Sequence, residues 1–293
     1  MAKTAFVFPG QGSQTIGMGK GYADGLLEKA SEVLGFDLLK LCMEGPEEEL
    51  KRTEITQPAI LTVSVAAYRQ LTVGSRQLTV DVMAGHSLGE YSALVAAGSI
   101  SFEDAVKTVH LRGKYMQEAV PVGKGAMAAV IGGDREKIIE ILSDEAGVEA
   151  ANFNSPGQIV ISGIKEAVDN IAEPLKAAGA KKIIPLPVSA PFHCFLMKPA
   201  QEKLALELGR IKIDNAKIPV VANVNAEIET DAGAIKQNLI DQVSGSVKWE
   251  DSILKMISLG VTSFVEVGPG KVLCGLIKKI NKDVEVKSWE ELS

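Results

Sequence analysis

Cysteine is scarce in this sequence, and its pattern excludes a disulfide framework. Cys42, Cys194 and Cys274 are scattered along 293 residues, and no two of them form a C-x-x-C pair. An odd and sparse cysteine count is typical of proteins that work in a reducing compartment. We therefore expect a cytoplasmic protein without disulfide bonds.

Long apolar runs and an excess of basic residues are also absent. No stretch is apolar for long enough to span a membrane, and the first residues do not resemble a signal peptide. Acidic residues outnumber basic ones, 37 against 31, which gives a formal net charge of −6. Because nonspecific nucleic-acid binding needs a basic face, we expect neither a nucleic acid nor a membrane as partner.

The glycine-rich loop Pro9–Gln14 lacks the features of a phosphate-binding loop. It follows a predicted buried strand, Thr4–Phe8, but has neither a G-K-[ST] ending nor the G-x-G-x-x-G spacing. The pattern instead favours a loop at the carboxyl end of a strand that supplies backbone N–H groups to a site. We predict no bound cofactor and no metal site.

Strands and helices alternate along most of the chain, which predicts an α/β fold with a mainly parallel sheet covered by helices. Between residues 123 and 187 the predicted order is β-α-β-β-α-β, the ferredoxin-like plan. We therefore predict a catalytic domain formed by residues 1–122 and 188–293, into which a ferredoxin-like subdomain, residues 123–187, is inserted.

Gly85-His86-Ser87-Leu88-Gly89 is the most informative stretch. The residues before it, 80–84, predict a buried strand, and residues 90–98 predict a helix that ends at a glycine. A serine between a strand and a helix, with small residues two positions away on both sides, is typical of a nucleophile elbow. Ser87 is the predicted nucleophile, and the amide of Leu88 is placed to stabilise a developing oxyanion.

A serine hydroxyl needs a base within hydrogen-bond reach, and the sequence has three histidines. His86 lies on the elbow itself, where its side chain is directed elsewhere, and His110 lies on the solvated face of a predicted helix. His193 remains as the predicted base, in a loop that prolines stiffen. The group that orients it stays open at this point: Asp241, Glu266 and a backbone carbonyl are the candidates.

The helix predicted for residues 101–119 carries a charge on its apolar side. At 3.6 residues per turn, Arg112 falls on the same stripe as Ala105, Val109 and Met116. A guanidinium on a buried stripe needs an anionic partner. That partner is either a protein carboxylate in a structural ion pair or the carboxylate or phosphate of a substrate.

Five motifs, in order along essentially the whole chain, resemble those of the malonyl-CoA:acyl carrier protein transacylases. They are Phe8-Pro9-Gly10-Gln11-Gly12-Ser13-Gln14, Gly85-His86-Ser87-Leu88-Gly89-Glu90, Asn154-Ser155-Pro156-Gly157-Gln158, Ala190-Pro191-Phe192-His193 and Glu266-Val267-Gly268-Pro269-Gly270. The resemblance implies a hydrolase-like α/β domain with an inserted ferredoxin-like subdomain. It also implies malonyl-CoA as substrate and acyl carrier protein as partner.

The resemblance further implies a ping-pong acyl transfer. Ser87 would take the malonyl group from coenzyme A as an ester, and the phosphopantetheine thiol of acyl carrier protein would then remove it. His193 would act as the general base and then as the acid, and Arg112 would pair with the free malonyl carboxylate. The resemblance assigns the other site residues as follows: backbone amides of Leu88 and Gln11 in the oxyanion hole, the backbone carbonyl of Gln242 orienting His193, and Gln57, Asn154 and Phe192 around the pocket, with Phe192 typical of malonyl-selective members.

Other functions stay open at this level. A serine esterase or thioesterase would use the same sheet and the same nucleophile. A relative could also transfer another acyl group, such as methylmalonyl from its coenzyme A ester. A non-catalytic module that docks a carrier protein would have kept the fold alone, but Ser87, His193, Arg112 and Gln11 are all present.

Overall fold

The computed structural model describes residues 3–72, 78–188 and 190–292. Ser189, in the proline-rich loop before His193, and the outer limits of the predicted domains at residues 1 and 293 lie outside the described residues. Within the described ranges, no helix is long and apolar enough to cross a membrane.

Strands and helices alternate through most of the described chain. The strands are β1 (Lys3–Phe8), β2 (Val82–Gly85), β3 (Gly125–Gly132), β4 (Val148–Ser155), β5 (Gln158–Ile164), β6 (Ala180–Pro185), β7 (Val220–Val221), β8 (Ile228–Glu229), β9 (Val261–Glu266) and β10 (Glu285–Ser288). The helices are α1 (Asp24–Leu34), α2 (Leu38–Glu44), α3 (Glu47–Leu50), α4 (Thr53–Thr72), α5 (Gly89–Ala96), α6 (Phe102–Glu118), α7 (Arg135–Asp144), α8 (Lys165–Asn170), α9 (Ala172–Ala177), α10 (Lys198–Leu208), α11 (Ala232–Gln242), α12 (Trp249–Ser258) and α13 (Val272–Ile280).

Two sheets confirm the predicted fold class. Six strands form the main sheet in the order β10-β9-β1-β2-β7-β8, and every neighbouring pair is parallel except β7 with β8. The other four strands form an antiparallel sheet in the order β4-β5-β3-β6. With two strands between two helical segments, this order is that of a ferredoxin-like fold.

The main sheet is covered on both faces, and β1 shows why. Ala5 and Val7 pack into one hydrophobic cluster, whereas Phe6 and Phe8 pack into a different one. Successive side chains of a strand point to opposite faces, so a strand buried on both sides is apolar throughout. Because Phe8 lies beside Gly85 at the carboxyl edge, the loop after β1 and the elbow after β2 emerge side by side.

Helix α4 begins five residues before Pro58, so this proline lies inside the helix. A proline inside a helix has no N–H for the carbonyl four residues earlier, here that of Glu54. The Nδ1 of His110 bonds to that carbonyl oxygen at 2.8 Å and replaces the missing bond. The prediction that His110 lies on a solvated face is therefore wrong, because His110 is half-buried between the two helices.

The structure also contains short elements that the sequence pattern does not indicate. Helix α2 begins after Asp37, whose side chain accepts from the amide of Lys40, and β8 is a two-residue antiparallel edge strand. The second helix of the subdomain, predicted as one element, is divided into α8 and α9. Pro174 lies four residues after the end of α8, and its missing N–H accounts for the break.

Candidate active site

The backbone around Ser87 forms a sharp turn that only glycines at both ends permit. Ser87 has a left-handed φ of 52°, which is strained for a residue with a side chain. A Cβ added at Gly85 would lie 1.9 Å from the carbonyl carbon of Gly89, and one at Gly89 would lie 2.1 Å from the carbonyl oxygen of Phe8. The turn therefore brings the start of α5 directly against β1 and β2.

Replacing Gly85 by alanine is expected to destabilise the fold strongly, because the added methyl group meets backbone atoms that cannot move aside. Overpacking of this kind lowers the free energy of unfolding by about 3 kcal/mol. The control is Gly275→Ala in α13, where an added Cβ meets nothing within 4 Å. This substitution should stabilise the helix by about 0.5–1 kcal/mol. Urea unfolding of both variants checks the contrast, and equal stabilities would contradict the close packing at the elbow.

Asn223, which sequence reasoning does not single out, fixes the elbow from the neighbouring strand. Its Oδ1 accepts from the backbone N–H of Ser87 at 2.7 Å, and its Nδ2 donates to the carbonyl of Gly85 at 2.7 Å. One side chain thus bonds to the residues on both sides of His86 and stabilises the strained turn. The sequence feature that could identify Asn223 is its place: it is a polar residue shortly after the end of β7, at the same edge of the sheet as Ser87.

Ser87 and His193, separated by 106 residues, are hydrogen-bonded. Ser87 Oγ lies 2.7 Å from His193 Nε2, and His193 Nδ1 lies 2.9 Å from the carbonyl oxygen of Gln242. A carbonyl only accepts, so Nδ1 carries the proton and Nε2 is free to accept the hydroxyl hydrogen. Burial, and then the charge of Arg112, lowers the pKa of His193 to about 3. The imidazole is therefore neutral and able to act as a base.

The acidic candidates for orienting His193 are engaged elsewhere. Asp241 accepts from the side chains of Gln201 and Gln237. Glu266 accepts from backbone amides at positions 273 and 274, at the start of α13, where it satisfies free N–H groups of the helix. Of the three alternatives, the backbone carbonyl is the group that contacts the ring.

Arg112 is buried beside Ser87, with 1% of its surface exposed. Its Nη1 donates to Gln57 Oε1 at 2.9 Å, and its Nη2 donates to Gln242 Oε1 at 2.9 Å and to Ser87 Oγ at 3.1 Å. Its Nε is buried without a hydrogen-bond partner. Among the described residues, no carboxylate lies within 4.0 Å of its nitrogens. Within the described residues, Arg112 therefore forms no structural ion pair with a protein carboxylate, one of the two alternatives that the sequence leaves open.

These side chains open onto one cavity of about 740 Å³. Among its lining residues are Gln11, Gln57, His86, Ser87, Arg112, Met116, Phe192 and His193. Asn154 lies behind this lining: its Oδ1 bonds to Nε2 of His86 at 2.8 Å, and it is Asn152 that faces the cavity. Asn154 is therefore not among the lining residues, contrary to the prediction, but supports one of them, His86, through a hydrogen bond.

The amides of Leu88 and Gln11 lie at the ends of adjacent strands, beside Ser87. In the part of the chain that the structure describes, neither amide donates a hydrogen bond to a protein group. Free N–H groups next to a nucleophile can stabilise a negatively charged oxygen as it forms. Within the same ranges, no group of His, Cys, Asp and Glu side chains is arranged to hold a metal ion.

Together, these groups can carry out acyl transfer to and from a serine. An oriented neutral base and a fixed cation lie within hydrogen-bond distance of the nucleophilic oxygen, and the site also has two amides that bond to no protein group among the described residues. Such a cation favours an acyl group that carries a negative charge of its own.

Comparison with known proteins gives a consistent result over the whole chain. The family profile described as "Acyl transferase domain" matches residues 5–291. The chain is 52% identical over 302 aligned positions to the malonyl CoA-acyl carrier protein transacylase of Escherichia coli K12, covering 100% of this chain and 97% of that protein.

Solved structures give the same result. An acyl carrier protein S-malonyltransferase from Vibrio cholerae superposes with a TM-score of 0.94 at 47% identity, covering 98% of this chain and 96% of that one. A malonyl-transacylase solved in complex with a type II polyketide acyl-carrier protein superposes with a TM-score of 0.92 at 47% identity, covering 98% and 95%.

Proposed function

The chain belongs to the acyl transferase family, among the malonyl-CoA–acyl carrier protein transacylases, and we propose that it works through Ser87, His193 and Arg112. Its reaction is the transfer of a malonyl group from coenzyme A to acyl carrier protein. The observation that carries the proposed residue roles is the buried Arg112, which contacts Ser87 and only uncharged side chains.

In the first half-reaction, Ser87 Oγ attacks the thioester carbonyl of malonyl-CoA while His193 Nε2 takes the hydroxyl proton. The amides of Leu88 and Gln11 stabilise the oxyanion of the tetrahedral intermediate. The carbon–sulfur bond then breaks, and the imidazolium returns its proton to the leaving thiolate of coenzyme A. The product is a malonyl ester on Ser87.

The second half-reaction repeats these steps with a different thiol. The phosphopantetheine thiol of acyl carrier protein gives its proton to His193 as its sulfur attacks the ester. When the carbon–oxygen bond breaks, Ser87 Oγ takes the proton back from the imidazolium. Because Nδ1 stays bonded to the carbonyl of Gln242, the ring keeps one orientation through both halves.

Arg112 binds the free carboxylate of the malonyl group in this scheme. A carboxylate fits the guanidinium fork through two parallel hydrogen bonds, and burial strengthens them. Phe192 is also buried and lines the cavity, and we propose that it limits the acyl group to malonyl rather than to a branched analogue.

Two further predictions are parts of the proposal. The domain boundaries lie at residues 122/123 and 187/188. The protein is located in the cytoplasm, which its three free cysteines support.

Arg112→Ala is expected to lower kcat/KM for malonyl-CoA by about a hundredfold. Hydrogen bonds to a charged group contribute about 1.5–3 kcal/mol each, part of which desolvation of both ions offsets. A net loss of about 3 kcal/mol corresponds to roughly two decades. Acetyl-CoA has no carboxylate to lose, so its transfer should stay level or rise.

The matched control is Arg112→Lys, which keeps the charge but cannot reproduce the two-pronged contact, so it should restore the activity only in part. The measurement is kcat/KM for both thioesters in the three proteins. Equal losses for malonyl and acetyl transfer in a folded Arg112→Ala variant would show that Arg112 does not bind the acyl carboxylate.

A further inference from the structure

Two glutamine side chains hold Arg112 from opposite sides. Gln57 Oε1 accepts from Nη1 and Gln242 Oε1 accepts from Nη2, both at 2.9 Å. Both glutamines are buried, with 1% and 0% of their surface exposed. The guanidinium also donates to the Ser87 hydroxyl and lies over the ring of Tyr91, whose centre is 5.8 Å away. Each of these groups is polar or aromatic, and none carries a charge.

The orientation of the Gln242 amide is determined by its surroundings. Its Nε2 faces three acceptors: the carbonyl of Ser87 and Glu90 Oε2, both at 3.0 Å, and Asn223 Oδ1 at 3.5 Å. Its oxygen faces a donor, the guanidinium. A flipped amide would place oxygen against acceptors and N–H against a donor, so the oxygen must point at Arg112.

Glu90 is the buried carboxyl group next to this network, and Gln242 separates it from Arg112. Its Oε2 accepts from the amide nitrogen of Gln242 and from the backbone N–H of Asn223, at 3.0 and 2.8 Å. Burial, and then the neighbouring Glu229, raises the pKa of Glu90. Arg112 acts on Glu90 in the opposite direction and lowers its pKa, but among the described residues no carboxylate oxygen lies within 4.0 Å of the guanidinium nitrogens. Glu90 therefore supports the Gln242 amide without forming an ion pair with Arg112.

An amide oxygen and a carboxylate can each accept a hydrogen bond from the guanidinium in the same place, but they differ in charge. The amide fixes the position of the cation and leaves its charge uncompensated, whereas a carboxylate in the same place would neutralise it. A buried cation without an ionic partner is costly, and an anionic acyl group removes that cost when it binds. The presence of glutamine on both sides therefore affects selectivity and not only position.

We propose that Gln57 and Gln242 form an uncharged clamp that positions Arg112 while keeping its charge available, and that this lack of charge selects acyl groups with a free carboxylate. The inference rests on the proposed binding of the malonyl carboxylate by Arg112. It makes the clamp residues determinants of specificity that act through Arg112 rather than on the reacting atoms.

Close packing of two helices keeps Gln57 in place. A Cβ added at Gly113 of α6 would lie 2.6 Å from the carbonyl oxygen of Thr53 in α4, so the backbones are in direct contact. The bond between His110 and the carbonyl of Glu54 joins the same two helices. A glutamate at position 57, with the same shape as glutamine, would thus place its carboxylate at Nη1 of Arg112.

The test is the malonyl-to-acetyl ratio of kcat/KM in Gln57→Glu, with Gln57→Met as the matched control. The new carboxylate competes with the acyl carboxylate for Arg112, so the ratio should fall by about tenfold to a hundredfold. Methionine has a similar length, removes the hydrogen bond and adds no charge, so the ratio should fall far less. If both variants have the same ratio, the charge of the clamp does not matter and the proposal is wrong.

Arg112→Ala in the same assay distinguishes this inference from the proposed function. If Arg112→Ala has the same malonyl-to-acetyl ratio as the wild type, Arg112 does not bind the acyl carboxylate, and its proposed role fails together with the clamp. If the malonyl-to-acetyl ratio falls in Arg112→Ala but stays at the wild-type value in Gln57→Glu, only the proposed role of the clamp is wrong. If thermal unfolding shows that Gln57→Glu is not folded, Gln57→Asp, compared with its uncharged control Gln57→Asn, places a carboxylate on the same side of the guanidinium. That variant must then lower the ratio in the same way, and an unchanged ratio overturns the proposal.

Discussion

Ser87→Ala is expected to abolish the covalent acyl-enzyme completely. Alanine fits the elbow in place of serine, because the strained turn depends on Gly85, Gly89 and the bonds from Asn223. Those bonds are made to backbone atoms and remain after the substitution. The variant should therefore fold normally and form no malonyl adduct when mixed with malonyl-CoA, as observed by intact-protein mass spectrometry.

The matched control is Ser143→Ala, which removes a hydroxyl group from an exposed serine of α7 and should leave the adduct unchanged. Cys194 is the alternative nucleophile nearest in sequence to His193. It is buried, its thiol contacts the carbonyl of Pro191, and burial raises its pKa, all of which make it unreactive. An adduct that persists in Ser87→Ala would overturn the serine mechanism.

His193→Ala is expected to slow both half-reactions by about 10²–10⁴-fold, the usual contribution of a general acid–base group. One imidazole serves as base and acid in each half, so acylation by malonyl-CoA and deacylation by carrier protein should decrease together. Stopped-flow or quenched-flow measurement of each half-reaction checks this. His110→Ala is the control: it removes the bond to the Glu54 carbonyl and should lower stability by about 1 kcal/mol without a comparable loss of rate.

The same base predicts an unusual pH dependence. The pKa of His193 is lowered to about 3 from the ordinary value of 6.5, first by burial and then by Arg112. A base with a lowered pKa stays neutral as the pH falls, so the rate of acylation should not decline as the pH passes below 6.5. In Arg112→Ala one of the causes of the lowered pKa is removed, so the pKa of His193 should rise and the decline in rate should begin at higher pH. A wild-type rate that halves near 6.5 would contradict the buried, neutral histidine.

The parts of the site that the sequence predicts are those with a local signal. Ser87 is marked by a strand, two glycines and a helix that follow one another directly, and Arg112 is marked by the period of a single helix. These patterns depend on neighbours in the chain, and the structure places both residues where the patterns indicate. The β-α-β-β-α-β succession of the subdomain is likewise predicted from local sequence patterns, and the structure confirms it.

The parts that the sequence does not predict depend on contacts between distant segments. Gln242 is 155 residues from Ser87. No periodic pattern in the sequence indicates the contacts of its amide group or the role of Asn223. The start of α4 cannot be predicted from local sequence for the same reason, because it depends on a contact with a distant segment. Pro58 is tolerated inside that helix only because His110, on another helix, satisfies the Glu54 carbonyl.

Competition between two acyl donors tests directly whether Ser87 carries the acyl group and Arg112 selects it. The wild-type protein and Arg112→Ala are each mixed with equal amounts of malonyl-CoA and acetyl-CoA, and the adduct is identified by intact mass and peptide mapping. We predict a malonyl group on Ser87 in the wild type, removed when acyl carrier protein is added, and a shift toward acetyl in the variant. A wild-type protein that carries both acyl groups equally, or an adduct outside the Ser87 peptide, would contradict it.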